Sequence, residues 1–163
     1  MQFSKSTGYA LHALIHLAHT ERGRNVGIKE LSAWLGVSES YLSKIMSKLR
    51  QDGIVRAVPG ASGGYELARE TDQITFLDVI QVIEGRQHMY ECFKISEEHH
   101  PMFFESEILE PESSDGTDHR ECLVKKVMIG AERHMNDYLK GHTIQSVLDS
   151  ASAGSGERID KKS

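Results

Sequence analysis

The chain has 163 residues, of which 39% are hydrophobic and 26% charged, and its formal net charge is −5. This length supports one modest core, and no apolar run reaches the roughly 18 residues of a membrane-spanning helix, so we expect a soluble protein without a membrane partner. Two cysteines are too few for a disulfide framework and, without a secretory leader, indicate reduced thiols in the cytoplasm.

The charge is divided unevenly along the chain. Residues 1–70 hold nine Lys and Arg against six Asp and Glu, a net charge of +3, whereas residues 71–163 hold ten against eighteen, a net charge of −8. Because DNA responds to local potential, the basic first part is compatible with nucleic-acid binding despite the acidic total.

The first predicted helix runs from about Lys5 to Thr20, with Ser4 as its expected N-cap. Its apolar face follows helical spacing and comprises Ala10, Leu11, Leu14, Leu17 and Ala18. Three histidines share the opposite face: His12, His16 and His19. A metal site is the alternative there, but no carboxylate or cysteine lies beside them at helical spacing, so we predict a polar solvent-facing surface.

A helix-turn-helix follows. A short apolar helix precedes a turn at Gly36-Val37, and its inward residues are expected to be Ile28, Leu31, Trp34 and Leu35. A second helix, from about Glu39 to Gln51, repeats apolar residues at i, i+3, i+4 and i+7, and these are Leu42, Ile45, Met46 and Leu49. We expect the two apolar sets to pack together and the second helix to enter a major groove.

The remaining face of the second helix combines hydroxyls with cations. Hydroxyls can meet base edges or phosphates, and cations favour phosphates. The predicted DNA-contacting residues here are Ser38, Ser40, Tyr41, Ser43, Lys44, Ser47 and Lys48. A solvated helix face is the alternative interpretation.

A two-stranded wing is predicted next. Val55 to Val58 and Gly64 to Leu67 can pair around a Gly-rich tip, where small residues allow close approach to a minor groove. Arg56 and Arg69 are phosphate candidates at its base. The predicted DNA-binding set is completed by Lys5, Tyr9, Gly60, Ser62 and Gly63.

Three stretches give the chain a family resemblance. They are the start Met-Gln-Phe-Ser-Lys-Ser-Thr-Gly-Tyr-Ala-Leu, the helix Val-Ser-Glu-Ser-Tyr-Leu-Ser-Lys-Ile and the wing Gly-Ala-Ser-Gly-Gly-Tyr-Glu-Leu-Ala. Together they resemble the Rrf-type winged-helix repressors, the IscR/NsrR/CymR family, and the match continues through residues 74–80 and 121–148. The resemblance implies a cytoplasmic homodimer on a partly palindromic double-stranded operator, answering a redox, nitric oxide, iron-sulfur or metabolic signal.

The second half supplies the expected dimer. Thr75 and Asp78 form a capping-box pattern for a helix from Phe76 to Glu84, and Gly85 is its expected stop. Between residues 121 and 140, a seam alternates by four and three and comprises Val124, Met128, Ala131, Met135 and Tyr138. We expect this seam to pair with a second copy, and packing within one chain is the alternative.

The predicted fold is mainly α with a small β wing. Residues 1–72 form the winged helix-turn-helix, and residues 73–149 form a dimerisation and sensor region with an acidic loop at 93–119. A last short helix, capped by Thr143, is expected to end near Asp149, and residues 150–163 read as a disordered tail. No Cys-x-x-Cys motif, nucleophile elbow or supported carboxylate pair is present, so we expect no enzyme activity.

Cys92 and Cys122 are the candidate sensor residues. The resemblance implies three cluster-binding cysteines, of which Cys92 matches the first and Cys122 the last, while the middle one is missing. We therefore expect no cofactor and favour a thiol switch responding to oxidant or nitric oxide, with Cys122 in the first turn of its helix. The alternatives are an iron-sulfur cluster, and packing cysteines in a regulator controlled by a ligand or partner protein. A winged-helix module that acts mainly through a partner protein is a further alternative.

Overall fold

The computed structural model describes residues 2–20, 24–60, 62–86, 88, 90 and 122–156. Its elements, in chain order, are α1 Lys5–His19, α2 Ile28–Leu35, α3 Glu39–Gln51, β1 Val55–Val58, β2 Gly64–Leu67, a 3-10 helix Thr71–Gln73, α4 Phe76–Glu84, α5 Leu123–Lys140 and α6 Ile144–Gly156. This confirms the predicted mainly helical fold with a small β wing. In these ranges, no helix combines the length and apolar character needed to cross a membrane.

The chain divides into two compact units. The first, here called the head, comprises Met1–Gln87 and Tyr138–Ser163, and the second comprises His88–Asp137. This division differs from the predicted boundary after residue 72, because α4 packs against α1 and α3, and α6 packs against α1. The head is therefore built from both ends of the sequence, and α5 begins in the second unit and ends in the head.

The core of the head is formed mainly by α1, α3, α4 and the start of α6. The predicted inward face of α3 is confirmed, and Ile144 of α6 is also fully buried. The largest side chains with almost no exposure are Leu14, Val26, Leu31, Leu42, Met46, Leu49, Ile54, Val55, Ile74, Val79 and Ile144. Burial on this scale, at about 1.5–3 kcal/mol for each large apolar side chain, holds the head together.

Two helices of the head begin with reciprocal caps. The Thr75 side chain accepts from the Asp78 N–H at 3.1 Å, and the Asp78 carboxylate accepts from the Thr75 N–H at 3.1 Å. Thr143 caps α6 in the same way with Ser146. The two starts are also joined, because the Ile144 N–H donates to the Ile74 carbonyl at 3.0 Å. The capping residues predicted for α4 and α6 are thus found in place.

The predicted disordered tail, residues 150–163, overlaps the observed end of α6. Helix α6 continues through residues 150–156, where a disordered segment was expected, and residues 157–163 lie outside the described part of the chain. The Ser150 hydroxyl donates to the Ser146 carbonyl at 2.8 Å, and the Ser152 hydroxyl donates to the Leu148 carbonyl at 2.9 Å. These bonds give the serines helical partners, so a Ser-rich composition does not interrupt the helix here.

Trp34 does not lie in the core, although the apolar pattern of α2 predicts an inward position for it. Leu31 is fully buried, but Trp34 is 54% exposed, and its ring lies 4.5 Å from the ring of His16. The helix is short, so Leu31 and partly buried neighbours such as Leu35 occupy its inward side. The histidine face of α1 is consequently covered in part by an aromatic side chain.

Candidate nucleic-acid interface

The turn between α2 and α3 depends on Gly36. This residue has φ +67°, a left-handed conformation that glycine adopts without steric cost. The Gly36 N–H donates to the Ala33 carbonyl at 3.3 Å, and the Val37 N–H donates to the Ser32 carbonyl at 3.0 Å. These are the two closing bonds of a Schellman turn, which stops α2 sharply and sends the chain into α3.

Ser38 begins α3 as its N-cap. The Ser38 hydroxyl accepts from the Tyr41 N–H at 3.3 Å, which satisfies one of the unpaired donors of the first turn. Ser38 is exposed, so its predicted place on the outer surface agrees with the structure. Its hydroxyl, however, is already engaged in holding the end of the helix.

The outward face of α3 is polar and accessible. Ser40 and Lys44 are exposed, whereas Ser43 and Ser47 are half-buried at the edges of the face. No ion pair joins Lys44 to another part of the described chain. The face therefore presents three serine hydroxyls and the cation of Lys44, groups that can contact base edges and phosphates.

Tyr41, a predicted DNA contact, is exposed but also has partners on α1. Its hydroxyl forms a 2.7 Å hydrogen bond with the Ser6 hydroxyl, and its ring meets the ring of Tyr9 edge to face at 5.8 Å. The side chain remains 37% exposed. Tyr41 thus joins α3 to the first turns of α1, and Tyr9, also predicted to bind DNA, is half-buried as its partner.

Lys48, another predicted DNA contact, has a partner on α4. Its Nζ donates to the Ile83 carbonyl at 2.8 Å, at the end of α4. The bond satisfies one of the carbonyls that every helix leaves unpaired in its last turn, and a cation is favoured there by the helix dipole. The ammonium group is therefore engaged with the protein's own backbone.

Glu84 lies beside this contact. Its carboxylate accepts from the Ser4 N–H at 2.8 Å and from the Thr7 hydroxyl, both in the first turn of α1. The hydrogen bond from Thr7 is the main reason that the pKa of Glu84 is lowered from its ordinary value of 4.5. Ser4 makes no side-chain cap of its own, and the negative carboxylate of Glu84 lies at the positive end of the α1 dipole.

The wing is a two-stranded antiparallel hairpin. Val55 pairs with Leu67 and Val58 pairs with Gly64, as the predicted strand limits require. A Cβ added at Gly63 would lie only 2.3 Å from the Val58 carbonyl oxygen, so glycine is needed by the hairpin itself. Gly60 and Ser62 at the tip are exposed, and Ala61 lies outside the described residues.

The two wing arginines have partners within the chain. Arg56 pairs with Glu66 directly across the hairpin at 2.6 Å, although two thirds of its side chain stays exposed. Arg69 donates to the Gly53 carbonyl at 3.0 Å and to the Asp52 carbonyl. Arg69 therefore fixes the end of α3, and its contact with a phosphate stays a prediction.

The first turns of α1 lie next to an open groove of about 460 Å³. Lys5, the remaining predicted DNA contact, is exposed at its rim. The other lining residues are Gly8, Tyr9, His12, Trp34 and Leu35. Within the described ranges, no group of three or more His, Cys, Asp or Glu residues is arranged to hold a metal ion.

The predicted dimer seam lies on α5. None of the 18 residues of this helix, all of which the structure describes, is buried. Along the seam, Val124, Met128, Ala131 and Tyr138 are exposed and Met135 is half-buried. Val127, which the seam pattern omitted, is 70% exposed beside them. An apolar face of this size has no covering element among the described residues.

The structure describes one of the two candidate sensor cysteines. Cys92 lies outside the described residues. Cys122 is half-buried and precedes α5, and its carbonyl accepts the Lys126 N–H at 2.9 Å. It therefore occupies the N-cap position rather than the predicted first turn.

Several interface residues were missed by sequence reasoning. Ser6 and Glu84 organise the start of α1 through partners 35 and 80 residues away in sequence. Gln51 is exposed on α3 in line with Ser40, Lys44 and Ser47. A helical wheel would have found Gln51, but only the fold can show the contacts of Ser6 and Glu84.

Comparisons with known proteins agree with this architecture. The profile of the Rrf2 family, described as "Iron-dependent Transcriptional regulator", matches residues 3–150. A protein of Aquifex aeolicus named "Putative HTH-type transcriptional regulator" is 30% identical over 91% of this chain and 92% of its own.

Among solved structures, IscR of T. potens superposes with a TM-score of 0.65 at 26% identity, covering 93% of this chain and 88% of its own. CymR of B. subtilis gives a TM-score of 0.65 at 24% identity, covering 92% of this chain and 98% of its own, and so supports the fold. The chain belongs to the Rrf2 family of DNA-binding transcriptional regulators, whose members are not enzymes.

Proposed function

We propose that the protein is a homodimeric repressor in the cytoplasm, which reads a partly palindromic operator with α3 and releases it when its cysteine thiols are modified. The observation that carries this proposal is the outward face of α3, where Ser40 and Lys44 remain exposed at the front of a helix held by a Schellman turn and an N-cap. Lys5 and the wing-tip residues Gly60 and Ser62 are also exposed and are proposed as further contacts.

The DNA-reading part of the proposal assigns different tasks to different residues. Ser40, Ser43 and Ser47 meet base edges or phosphates, because a hydroxyl both donates and accepts. Lys44 contacts a phosphate, because its ammonium has no ion-pair partner among the described residues. Arg56 contributes despite its pairing with Glu66, since two thirds of the side chain is exposed.

The operator test begins with DNA duplexes selected by the wild-type protein from a random-sequence pool. Lys44→Ala should then weaken binding and lower the slope of log affinity against log salt by about one, because one phosphate contact is lost. Lys140→Ala, which removes an exposed lysine from the far end of α5, is the matched control. Equal slopes for wild type and Lys44→Ala would refute the assignment of α3.

The dimer part of the proposal rests on the apolar face of α5. Val124, Val127 and Met128 are exposed on one chain, and burying them against a second copy removes apolar surface from water. Two recognition helices joined in this way would meet half-sites about one DNA turn, roughly 34 Å, apart. Repression then follows if the operator overlaps a promoter, which in vitro transcription measures directly.

The thiol part rests on the place of Cys122. The positive end of the α5 dipole favours the thiolate, which is the nucleophilic form. A peroxide would transfer one oxygen atom to this sulfur, forming an S–O bond and breaking the O–O bond, so that the thiolate becomes sulfenate and the peroxide is reduced to water or an alcohol. A polar, oxidised sulfur at this position would disturb the start of the proposed dimer helix.

An iron-sulfur cluster is the competing sensor, and the printed family description mentions iron dependence. Clusters are usually held by four cysteine thiolates, whereas the whole chain has two. This donor set does not fit the group. The visible absorption spectrum of anaerobically purified protein distinguishes the two sensors, because a cluster is coloured and a thiol is not.

A further inference from the structure

Three helices of the head meet through polar side chains at one place, here called the junction. It consists of Ser4 and Thr7 of the α1 start, Lys48 of α3, and Ile83 and Glu84 of the α4 end. The Glu84 carboxylate accepts from the Ser4 N–H at 2.8 Å and from the Thr7 hydroxyl, while Lys48 Nζ donates to the Ile83 carbonyl at 2.8 Å. The junction therefore fastens α1 and α3 to the same helix end.

Each contact opposes a helix dipole with a charge of the favourable sign. The negative Glu84 faces the start of α1, where the backbone N–H groups are unpaired, and the positive Lys48 faces the end of α4, where carbonyls are unpaired. Charged hydrogen bonds are stronger than neutral ones. Glu84 and Lys48 also attract each other, which contributes to the lowered pKa of Glu84.

The helices held by the junction carry the candidate DNA contacts. Lys5 follows Ser4 directly on α1, and Lys44 lies one turn before Lys48 on α3. A second link, the hydrogen bond between Ser6 and Tyr41, also joins the two helices. A change in the junction would therefore alter the angle between two surfaces that must meet the same DNA.

We propose that Glu84 and Lys48 are positioning residues for operator binding, which set the orientation of α1 and α3 without touching DNA. This inference rests on the proposed role of α3 as the reading helix. Lys48 is thereby assigned to positioning and Lys44 to a phosphate contact, although both are exposed lysines on one helix. The difference arises because Lys48 Nζ is bonded to the backbone of α4, whereas Lys44 has no such bond in the described chain.

The experiment compares Lys48→Met with Lys44→Met in the full chain, using duplexes selected by the wild type from a random pool. Methionine keeps an unbranched apolar stem of similar length and removes the charge. We expect Lys48→Met to weaken binding about fivefold with an unchanged salt slope, as a mutation acting away from the contact does. Lys44→Met should lower the salt slope by about one, because it removes a phosphate contact.

Two further variants test the positioning itself. Lys48→Arg keeps a cationic donor and should restore binding to within about twofold of the wild type, with the same salt slope. Glu84→Gln should weaken binding as Lys48→Met does, and the double variant should be no weaker than the worse single, because both break one junction. Thermal unfolding of every variant, measured alongside, separates lost folded protein from lost affinity.

The outcomes separate the two proposals. A lower salt slope for Lys48→Met would make Lys48 a phosphate contact and overturn the positioning role of the junction. A lowered unfolding temperature with unchanged DNA affinity of the folded protein would also overturn that role. If Lys48→Met does not fold, wild-type affinity of Glu84→Gln overturns it. If only Lys44→Met changes binding, the positioning role of the junction is wrong, while the proposal that α3 contacts the operator is supported. A salt slope for Lys44→Met equal to that of the wild type overturns both proposals.

Discussion

Helices α3 and α5 differ in how much of their apolar surface is buried. Four large side chains of α3 are buried within a single chain, and its other face is polar. Helix α5 is longer, with 18 residues, yet none of them is buried, and large apolar side chains such as Val127 are exposed. The apolar face of α3 is covered within one copy of the chain, whereas no described residue covers the apolar face of α5. This difference is the reason for proposing that a second copy of the chain covers the apolar face of α5.

The strongest way to break this comparison is to place charge on the face of α5. Met128→Glu together with Met135→Glu would put carboxylates into the proposed interface, at a cost of about 3–5 kcal/mol for an unpaired buried charge. We expect a monomer with lost operator binding. Sedimentation over a range of protein concentrations measures this.

Arg133→Glu is the matched control, because Arg133 is exposed on the opposite side of α5. It should leave the dimer intact while making the same kind of charge change. A fully dimeric Met128→Glu/Met135→Glu protein that still binds the operator would place the interface elsewhere.

Removing a buried side chain from α3 should have a different signature. Leu42→Ala leaves a cavity in the core of the head, and the free energy of unfolding should fall by about 2–5 kcal/mol. Because the lost contacts are internal, the loss should not depend on protein concentration, unlike a defect of assembly. Urea unfolding at two protein concentrations measures both features, and a loss that grows on dilution would contradict this expectation.

The polar face of α3 should govern preference for sequence. Ser40→Ala removes a hydroxyl without disturbing the core, so discrimination at one operator position should fall by about 1–3 kcal/mol if the hydroxyl reads a base. Duplex selection repeated with the variant would show relaxed preference at that position. Ser150→Ala, which changes an exposed serine of α6, should select the wild-type sequence. An unchanged selection by Ser40→Ala would limit this residue to a phosphate contact or to none.

The start of α5 should answer oxidant if the thiol proposal holds. Peroxide or a nitric oxide donor should weaken operator binding by the wild type several-fold, and Cys122→Ser or Cys92→Ser should remove this response while keeping the affinity of the reduced protein. Electrophoretic mobility shifts before and after treatment with thiol reductant measure the effect. A wild-type-like response from both serine variants would exclude the thiols as sensors.

The smallest expected effect concerns pH and Glu84. Its pKa is lowered in the folded protein, mainly by the hydrogen bond from Thr7. The stabilisation is therefore present above the unfolded value of 4.5 and is lost as the pH falls through the lower folded pKa. Glu84→Gln should accordingly lose less stability than the wild type as the pH falls below 4.5, as urea unfolding would show. Parallel curves for the two proteins would contradict the contact.

Local signals in the sequence were sufficient for the limits of α3 and α4. The capping pattern of Thr75 and Asp78, followed by Gly85, predicted α4 with its observed bounds, Phe76–Glu84. The apolar spacing of α3 predicted all four of its buried residues. Such signals succeed because a cap or a repeat acts within a few residues of chain.

Signals that depend on distant partners were not accessible in this way. Lys48 lies on the polar side of a helical wheel, but its partner is the carbonyl of Ile83, on another helix. Trp34 matched an inward position, yet the stack on His16 leaves it more than half exposed. In both cases a contact between elements decides the orientation, and periodicity describes only one element at a time.

The discontinuous head has a consequence for synthesis of the protein. Ile144, which is fully buried in the core, lies on α6, whereas most of its neighbours there precede residue 84. A ribosome that has translated only the recognition helix and the wing has not yet supplied this side chain. The head can complete its packing only after α6 has emerged, so nascent or prematurely terminated chains would present the DNA-reading helix on an unfinished support. We therefore expect only chains translated through α6 to compete fully for the proposed operator.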